Sequence, residues 1–142
     1  MTTGPNVLLD TSAVIDFEEI DGRKVAERAG CAYGDLAPGI SAITLAELAA
    51  GPHATAEARE RAARQARLQW VEATFDPLPF DSDAARTYGL IYNSVLTVGR
   101  KPRRRLADLL IAAVASAHGL PIVTRNPADF AGLDEQVSVI AA

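Results

Sequence analysis

Short apolar runs alternate along the chain with longer amphipathic or polar segments. Residues 7–9 (Val-Leu-Leu) form a run too short for a helix and predict a buried strand. By the same pattern three further strands are predicted, at residues 39–41, 122–124 and 137–140. The segments between them predict helices at residues 13–19, 23–32, 45–50, 55–75, 82–98 and 105–117. Such alternation predicts an α/β fold with a mainly parallel sheet covered on both faces, in a single domain over residues 1–142.

Two of these segments have distinctive compositions. Residues 55–75 are rich in Ala, Arg, Glu and Gln, which predicts a long, partly exposed helix in which we expect Trp70 to pack into the core. Residues 77–80 (Pro-Leu-Pro-Phe) predict at best a short edge strand, because proline cannot donate a hydrogen bond to a neighbouring strand. Residues 99–104 predict a basic loop ahead of the most apolar helix.

Acidic residues stand in apolar surroundings or next to predicted strand ends. Asp10 follows the first strand, Glu47 is the only charge in residues 43–50, and Asp108 precedes seven apolar residues. Asn126 and Asp129 follow the strand at residues 122–124. In parallel sheets, ligands bind beyond the carboxyl ends of the strands, so we expect these side chains to form a site.

Each of these residues also has a purely structural interpretation. Asp10 could cap the following helix, and Asp129 could cap the turn that Asn126 begins with Pro127. The helix that carries Asp108 is predicted to be buried on nearly all sides. On a helical projection Asp108 lies about 200° from Leu106, away from the main buried stripe and on a flank that also holds Ile111 and Ala112, at a position that could also be solvated. That stripe comprises Leu106, Leu109, Leu110, Ala113, Val114 and Ala117.

A joint acidic site would require a cation. Carboxylates gathered away from water cannot all ionise unless a positive charge offsets their repulsion. Oxygen ligands without cysteine or histidine favour Mg²⁺ or Mn²⁺ over zinc. Such a site suits in-line displacement at phosphorus. Thr11 and Ser12 could hydrogen-bond a metal ligand or a phosphate, or could serve only as caps.

Composition limits the alternatives. The chain is 49% hydrophobic and 23% charged, which is typical of a globular protein. The single cysteine, Cys31, excludes an internal disulfide and any zinc site built from cysteines. No apolar run approaches the ~18 residues of a membrane span, and no signal peptide is evident. We therefore expect a soluble, reduced, cytoplasmic protein.

Four segments resemble the motifs of PIN-domain proteins. They are Val7-Leu8-Leu9-Asp10-Thr11-Ser12-Ala13, the Glu of Leu45-Ala46-Glu47-Leu48, Leu106-Ala107-Asp108-Leu109-Leu110, and Thr124-Arg125-Asn126-Pro127-Ala128-Asp129-Phe130. Their order and spacing are similar to those of VapC-type ribonuclease toxins of toxin–antitoxin pairs. The resemblance extends from about residue 6 to the C-terminus.

The resemblance implies an α/β/α sandwich with a Mg²⁺- or Mn²⁺-dependent endoribonuclease site. Asp10, Glu47 and Asp108 match the three main acids of the family. Asn126 stands where some members carry Asp, so we expect it to orient a water or ligand and Asp129 to support the site, with Thr124 beside both. The resemblance also implies a homodimer and a small antitoxin whose C-terminal segment covers the catalytic groove.

The distribution of charge bears on the substrate. The net charge is −4, which alone argues against a nucleic-acid partner. However, five of the 14 basic residues lie within residues 100–105. They precede Asp108 and are expected to contact RNA phosphates, although a solvated loop or a contact with acidic antitoxin residues would also fit. The five are Arg100, Lys101, Arg103, Arg104 and Arg105.

Two other functions fit parts of the pattern. Because Asn126 is neutral, the chain could be a catalytically weak PIN-like module that binds RNA or a partner. It could also be a phosphoryl-transfer enzyme or receiver on a doubly wound sheet. A haloacid-dehalogenase-type enzyme, however, needs an aspartate where Ser12 stands. A receiver needs an acidic pair ahead of its phosphorylated aspartate, and the sequence has no such pair before Asp10.

Overall fold

Four parallel strands form the centre of the molecule in a computed structural model that describes residues 4–142; the first three residues of the predicted domain lie outside it. The strand order is β2-β1-β3-β4. The strands are β1 (Val7–Leu9), β2 (Pro38–Gly39), β3 (Ile122–Thr124) and β4 (Val139–Ala141). The helices are α1 (Thr11–Ile15), α2 (Gly22–Ala29), α3 (Ala42–Ala50), α4 (Ala58–Thr74), α5 (Ser82–Thr97) and α6 (Leu106–Ala117). The predicted parallel α/β fold is confirmed.

Both faces of this sheet are covered, which explains why β1 and β3 are apolar throughout. Successive side chains of a strand point to opposite faces. Leu8 therefore packs on one face with Ile111 and Ile122, beneath α5 and α6. Val7 and Leu9 pack on the other face, beneath α1, α2, α3 and α4. The three layers place the carboxyl ends of β1 and β3 side by side, since Leu9 pairs with Val123.

Several element boundaries differ from the predicted ones for local reasons. Helix α3 begins at Ala42, three residues earlier than predicted, because the Ser41 hydroxyl accepts a hydrogen bond from the Thr44 amide at 3.1 Å. Helix α1 ends at Ile15 and is followed by a 3₁₀ turn, Phe17–Glu19. The predicted edge strand at residues 77–80 is reduced to one bridge between Leu78 and Ser41.

The buried stripe predicted for α6 is confirmed at Leu109, Ala113 and Val114 and was wrong at its two ends. Leu106 is 49% exposed, and Ala117 at the other end of the helix is also exposed. Between these two ends, the buried residues lie on nearly all sides of the helix; they are Leu109, Ile111, Ala112, Ala113, Val114 and Ala115. The reason is tertiary: α6 packs against α5, α3 and the sheet, so its middle turns have no solvent face. Asp108 thus adjoins a buried surface and is itself only partly exposed.

The expected core position of Trp70 was also wrong. Trp70 is 38% exposed and packs against the rings of Phe17 and Phe75, with centroids at 5.2 and 5.7 Å. Val71, the next residue of α4, is fully buried and takes the inward position. Among the helices of residues 4–142, none is long and apolar enough to cross a bilayer.

Candidate active site

Asp10 lies at the carboxyl end of β1 and is held by three hydrogen bonds. Its Oδ1 accepts from the Ser12 hydroxyl at 2.7 Å and from the Ala13 amide at 2.9 Å. Its Oδ2 accepts from the Thr124 hydroxyl at 2.6 Å. The side chain is 3% exposed. Asp10 therefore caps α1, which was one of the roles predicted for it from the sequence. Its three hydrogen bonds also fix the orientation of the carboxylate.

The same hydroxyl groups join the two turns that follow β1 and β3. The Ser12 hydroxyl accepts from the Arg125 amide at 3.1 Å. The Thr124 hydroxyl accepts from the Asn126 amide at 3.0 Å and is fully buried. Both turns are thereby locked to Asp10, so the geometry of the carboxylate depends on both strands.

Glu47 reaches the same region from α3. The Thr11 hydroxyl donates to Glu47 Oε1 at 2.5 Å and lies 3.2 Å from the Thr44 hydroxyl. Thr44 is fully buried and was not singled out from the sequence as a site residue. Its position three residues before Glu47, on the same side of a helix, was the available signal.

Asp108 is surrounded by the other carboxylates. Its pKa is raised from 3.8 to about 6, first by burial and then by the negative charges of Asp129, Asp10 and Glu47. Arg105 acts in the opposite direction and lowers this pKa. Asp108 thus lies within electrostatic range of all three other predicted acids.

Asp129 and Asn126 lie in the segment that follows β3. Asp129 is carried by a 3₁₀ turn, Pro127–Phe130, and its Oδ1 forms an ion pair with Arg105 Nη1 at 2.6 Å. The Asn126 side chain is exposed and does not cap this turn. Asn126 is therefore available to a ligand, whereas Asp129 already has a cationic partner.

The oxygen-only donor set fits a hard divalent cation. Among residues 4–142, no three acidic, histidine or cysteine side chains already stand close enough together to hold a metal ion directly. Mg²⁺ in proteins commonly keeps several waters and takes only one or two carboxylates. Burial, first, and three neighbouring carboxylates, second, raise the pKa of Asp108, and Arg105 offsets this only in part. A largely hydrated ion beside Asp108 and Asp10 would supply the missing positive charge.

The basic residues at 100–105 divide into two groups. Arg100 Nη1 donates to the Ala128 carbonyl at 3.0 Å, and Arg105 pairs with Asp129. These two arginines support the turn that carries Asp129. Three side chains, Lys101, Arg103 and Arg104, are exposed. Only these three remain fully available for the predicted phosphate contacts.

Arg125 is an additional support that the sequence did not reveal. Its guanidinium lies 3.3 Å from Asp16 Oδ2 and 3.3 Å from Glu19 Oε2, both beyond the end of α1. It therefore ties the turn after β3 to the segment after α1.

Comparison with known proteins supports the same family as the motifs. The family model "PIN domain" matches residues 7–135. The chain is 38% identical over 143 residues to Ribonuclease VapC5 of Mycobacterium tuberculosis, covering 98% of this chain and 96% of that protein. It is 32% identical to Ribonuclease VapC1 of Rickettsia felis, covering 87% of each.

Solved structures give a matching result. A crystal structure of a member of the VapBC family of toxin–antitoxin systems, VapBC-5 from Mycobacterium tuberculosis, superposes with a TM-score of 0.76 at 36% identity, covering 96% of this chain and 98% of that one. FitAcB from Neisseria gonorrhoeae superposes with a TM-score of 0.68 at 31% identity, covering 94% and 96%. With motifs, fold and family model in agreement, the chain belongs to the PIN-domain family.

Proposed function

We propose that this protein is a divalent-metal-dependent endoribonuclease, the toxin component of a type II toxin–antitoxin pair. The observation that supports the proposal is a fixed, buried Asp10 at the carboxyl end of β1, together with the electrostatic effect of Asp10, Glu47 and Asp129 on the half-buried Asp108. Relatives that match over nearly their whole length are named ribonucleases, which supports a phosphodiester substrate.

Asp10, Asp108 and Glu47 are the residues that would hold a hydrated Mg²⁺ or Mn²⁺, in part through its waters. Such a metal, when bound, polarises a phosphoryl oxygen, lowers the pKa of water and offsets charge on the leaving oxygen. Asp10 is fixed by three donors, so its carboxylate needs little reorganisation on binding. The Thr11 hydroxyl orients Glu47.

The remaining residues of the site position the carboxylates and support the turns that carry them. Ser12 and Thr124 hold Asp10 and the turn after β3 in one arrangement. The exposed amide of Asn126 can donate to a phosphate oxygen or accept from a water. Asp129 acts through Arg105, whose charge it partly neutralises beside Asp108.

Lys101, Arg103 and Arg104 supply the attraction for RNA that the acidic centre lacks. The chain outside residues 100–105 carries nine basic and 18 acidic residues and would repel a polyanion. Exposed cations beside the site reverse this repulsion locally, and each phosphate contact releases counterions. RNA binding should therefore weaken steeply with salt.

An antitoxin is the second partner that we propose. A structural neighbour at 36% identity is described as a member of the VapBC family of toxin–antitoxin systems, which supports a protein inhibitor for this chain too. The homodimer that the resemblance implies stays a prediction, to be tested by analytical ultracentrifugation of the isolated chain.

The direct test is cleavage of structured RNA by the purified chain in Mg²⁺ or Mn²⁺. We expect activity that EDTA abolishes, and a loss of at least 100-fold in Asp10→Asn and Asp108→Asn. Asp35→Asn is the matched control, because Asp35 is exposed and precedes β2 at the opposite edge of the sheet. Cleavage that persists in EDTA or in both variants would overturn the metal-site assignment. RNA binding without cleavage of any RNA would favour a PIN-like binding module.

A further inference from the structure

A cavity of about 350 Å³ lies beside the acidic site, between the end of α5, the basic segment at residues 100–105 and the start of α6. This volume is within the ~300–1,000 Å³ typical of small-molecule sites. Asp129 lines the cavity, and so does Leu109, which directly follows Asp108 in α6. The cavity therefore adjoins the acidic site without containing its metal-binding candidates.

The walls of the cavity carry an excess of positive charge. Four cationic side chains line it, Arg100, Lys101, Arg104 and Arg105, against one carboxylate, Asp129. The Arg105–Asp129 pair cancels one charge, and Arg100 donates only to a neutral carbonyl. Lys101 and Arg104 form no ion pair within residues 4–142. Guanidinium and ammonium groups arranged in this way match a phosphate.

Part of the inner surface of the same cavity is apolar. Val95 and Leu109 are 5% and 2% exposed, and Ala131 lines the cavity from the turn after residues 127–130. A nucleotide has both parts, since its phosphate is anionic and its base and ribose present flat, weakly polar surfaces.

We propose that this cavity is a nucleotide subsite that holds the nucleotide of the RNA next to the one that is cut. Its phosphate lies against Lys101 and Arg104, and its base packs on Val95, Leu109 and Ala131. The inference deepens the proposed ribonuclease function, and it rests on that function for the claim that the bound nucleotide is part of an RNA. Recognition of a nucleotide by the cavity is a separate physical claim and can be measured without catalysis.

The test is titration of the metal-free chain in EDTA with uridine 5′-monophosphate and with inorganic phosphate, followed by backbone amide NMR shifts. We expect the nucleotide to bind more tightly than phosphate and to shift the amides of Gly99 and Leu109. Arg104→Ala should weaken nucleotide binding about tenfold, since a hydrogen bond to a charged group contributes about that factor. Arg103→Ala removes an equal charge outside the cavity and should weaken it much less.

A second variant tests the apolar part of the cavity separately from its cationic side chains. Ala131→Phe fills the cavity at an exposed position with extended backbone, so the chain should still fold and keep its charge. It should abolish nucleotide binding and leave phosphate binding in place. Equal affinities for nucleotide and phosphate, or an Ala131→Phe variant that binds nucleotide normally, would overturn the subsite. Equal losses in Arg103→Ala and Arg104→Ala would likewise overturn it in favour of general charge attraction.

The failures of the two proposals are distinguishable. If the chain cleaves RNA but the metal-free protein does not bind the nucleotide, the subsite is wrong and the ribonuclease stands. If the nucleotide binds as expected but no RNA is cut, the subsite stands as a nucleotide site and the ribonuclease fails. Binding of an acidic peptide at Gly99 and Leu109 in place of the nucleotide would assign the cavity to a protein partner.

Discussion

Asp108→Asn should make the metal-free protein more stable at neutral pH, although it removes a proposed site residue. Burial and three neighbouring carboxylates raise the pKa of Asp108 to about 6. The folded chain therefore holds an ionised Asp108 at a cost at pH 7.5. Asparagine has nearly the same shape and no charge, and within residues 4–142 no hydrogen bond to the Asp108 carboxylate is lost.

The magnitude follows from the pKa. The interval from 3.8 to about 6 corresponds to about 3 kcal/mol, at ~1.4 kcal/mol per pH unit. The carboxylate is partly exposed, so solvent screens part of this energy. We therefore expect Asp108→Asn to raise the free energy of unfolding by about 1–2 kcal/mol at pH 7.5.

The sign of the pH dependence is opposite to that of an ordinary ion-paired aspartate. Between pH 3.8 and about 6 the folded state holds a proton on Asp108 that the unfolded state has released. The contribution of Asp108 to stability therefore falls as pH rises through this window. Below about pH 3.8 both states are protonated, and the difference between the variant and the unmodified chain should vanish.

The assay is urea denaturation in EDTA at pH 7.5 and at about pH 3, with Asp35→Asn as the control for removal of an exposed carboxylate. Added Mg²⁺ should stabilise the unmodified chain and not Asp108→Asn, because a ligand of the folded state raises stability by mass action. A variant that is equally stable or less stable than the unmodified chain at pH 7.5 in EDTA would refute the crowding of carboxylates around Asp108.

Three further substitutions test other parts of the structure. Thr124→Val deletes the hydroxyl that donates to the buried Asp10 and should cost about 1.5–3 kcal/mol in urea denaturation; a cost below about 0.5 kcal/mol would contradict the hydrogen bond. Replacing Arg103 and Arg104 by Ala should flatten the dependence of RNA affinity on salt by about 0.7–0.9 per lost phosphate contact, and an unchanged slope would assign them another role. Trp70→Ala should cost less than the ~3–5 kcal/mol of a core tryptophan, as measured by thermal unfolding, because Trp70 is partly exposed.

The strand-end residues were predictable because their placement is local. A buried strand followed by Asp10 fixes the edge of the sheet at which that side chain lies, and the same argument holds for Thr124 and Asn126. The sheet is parallel and the strands are adjacent, so these ends meet. Helical spacing likewise links Thr44 to Glu47, although only the contact with Thr11 reveals its use.

Features that depend on long-range packing were not predictable. The apolar run after Asp108 predicts a helix buried on nearly all sides, but it does not show that α5, α3 and the sheet enclose α6 or which carboxylates act on Asp108. The outward position of Trp70 depends on which side of α4 meets α3. The partners of Arg100 and Arg105 lie 28 and 24 residues away, so the sequence shows five similar cations where the structure separates supporting from exposed ones.

The chemistry at phosphorus is the central claim, and the ends of the cut RNA report on it. Attack by water at a metal site, with departure of the 3′ oxygen, leaves a 5′-phosphate and a 3′-hydroxyl, whereas attack by the RNA's own 2′-hydroxyl leaves a 2′,3′-cyclic phosphate. The 2′-hydroxyl route relies on general acid–base side chains such as histidine. Of the two histidines, His118 lies at the end of α6 remote from Asp108, and His53 lies exposed in the 3₁₀ turn Gly51–Ala54 that follows α3.

The decisive measurement is mass spectrometry of the products of an RNA cut in Mn²⁺, beside the same RNA with a 2′-deoxy nucleotide at the cleaved position. We predict 5′-phosphate ends, cleavage of both substrates and no product in EDTA. Cyclic phosphate ends, or a 2′-deoxy substrate that resists cleavage, would contradict a metal-assisted attack by water at the Asp10–Asp108 site.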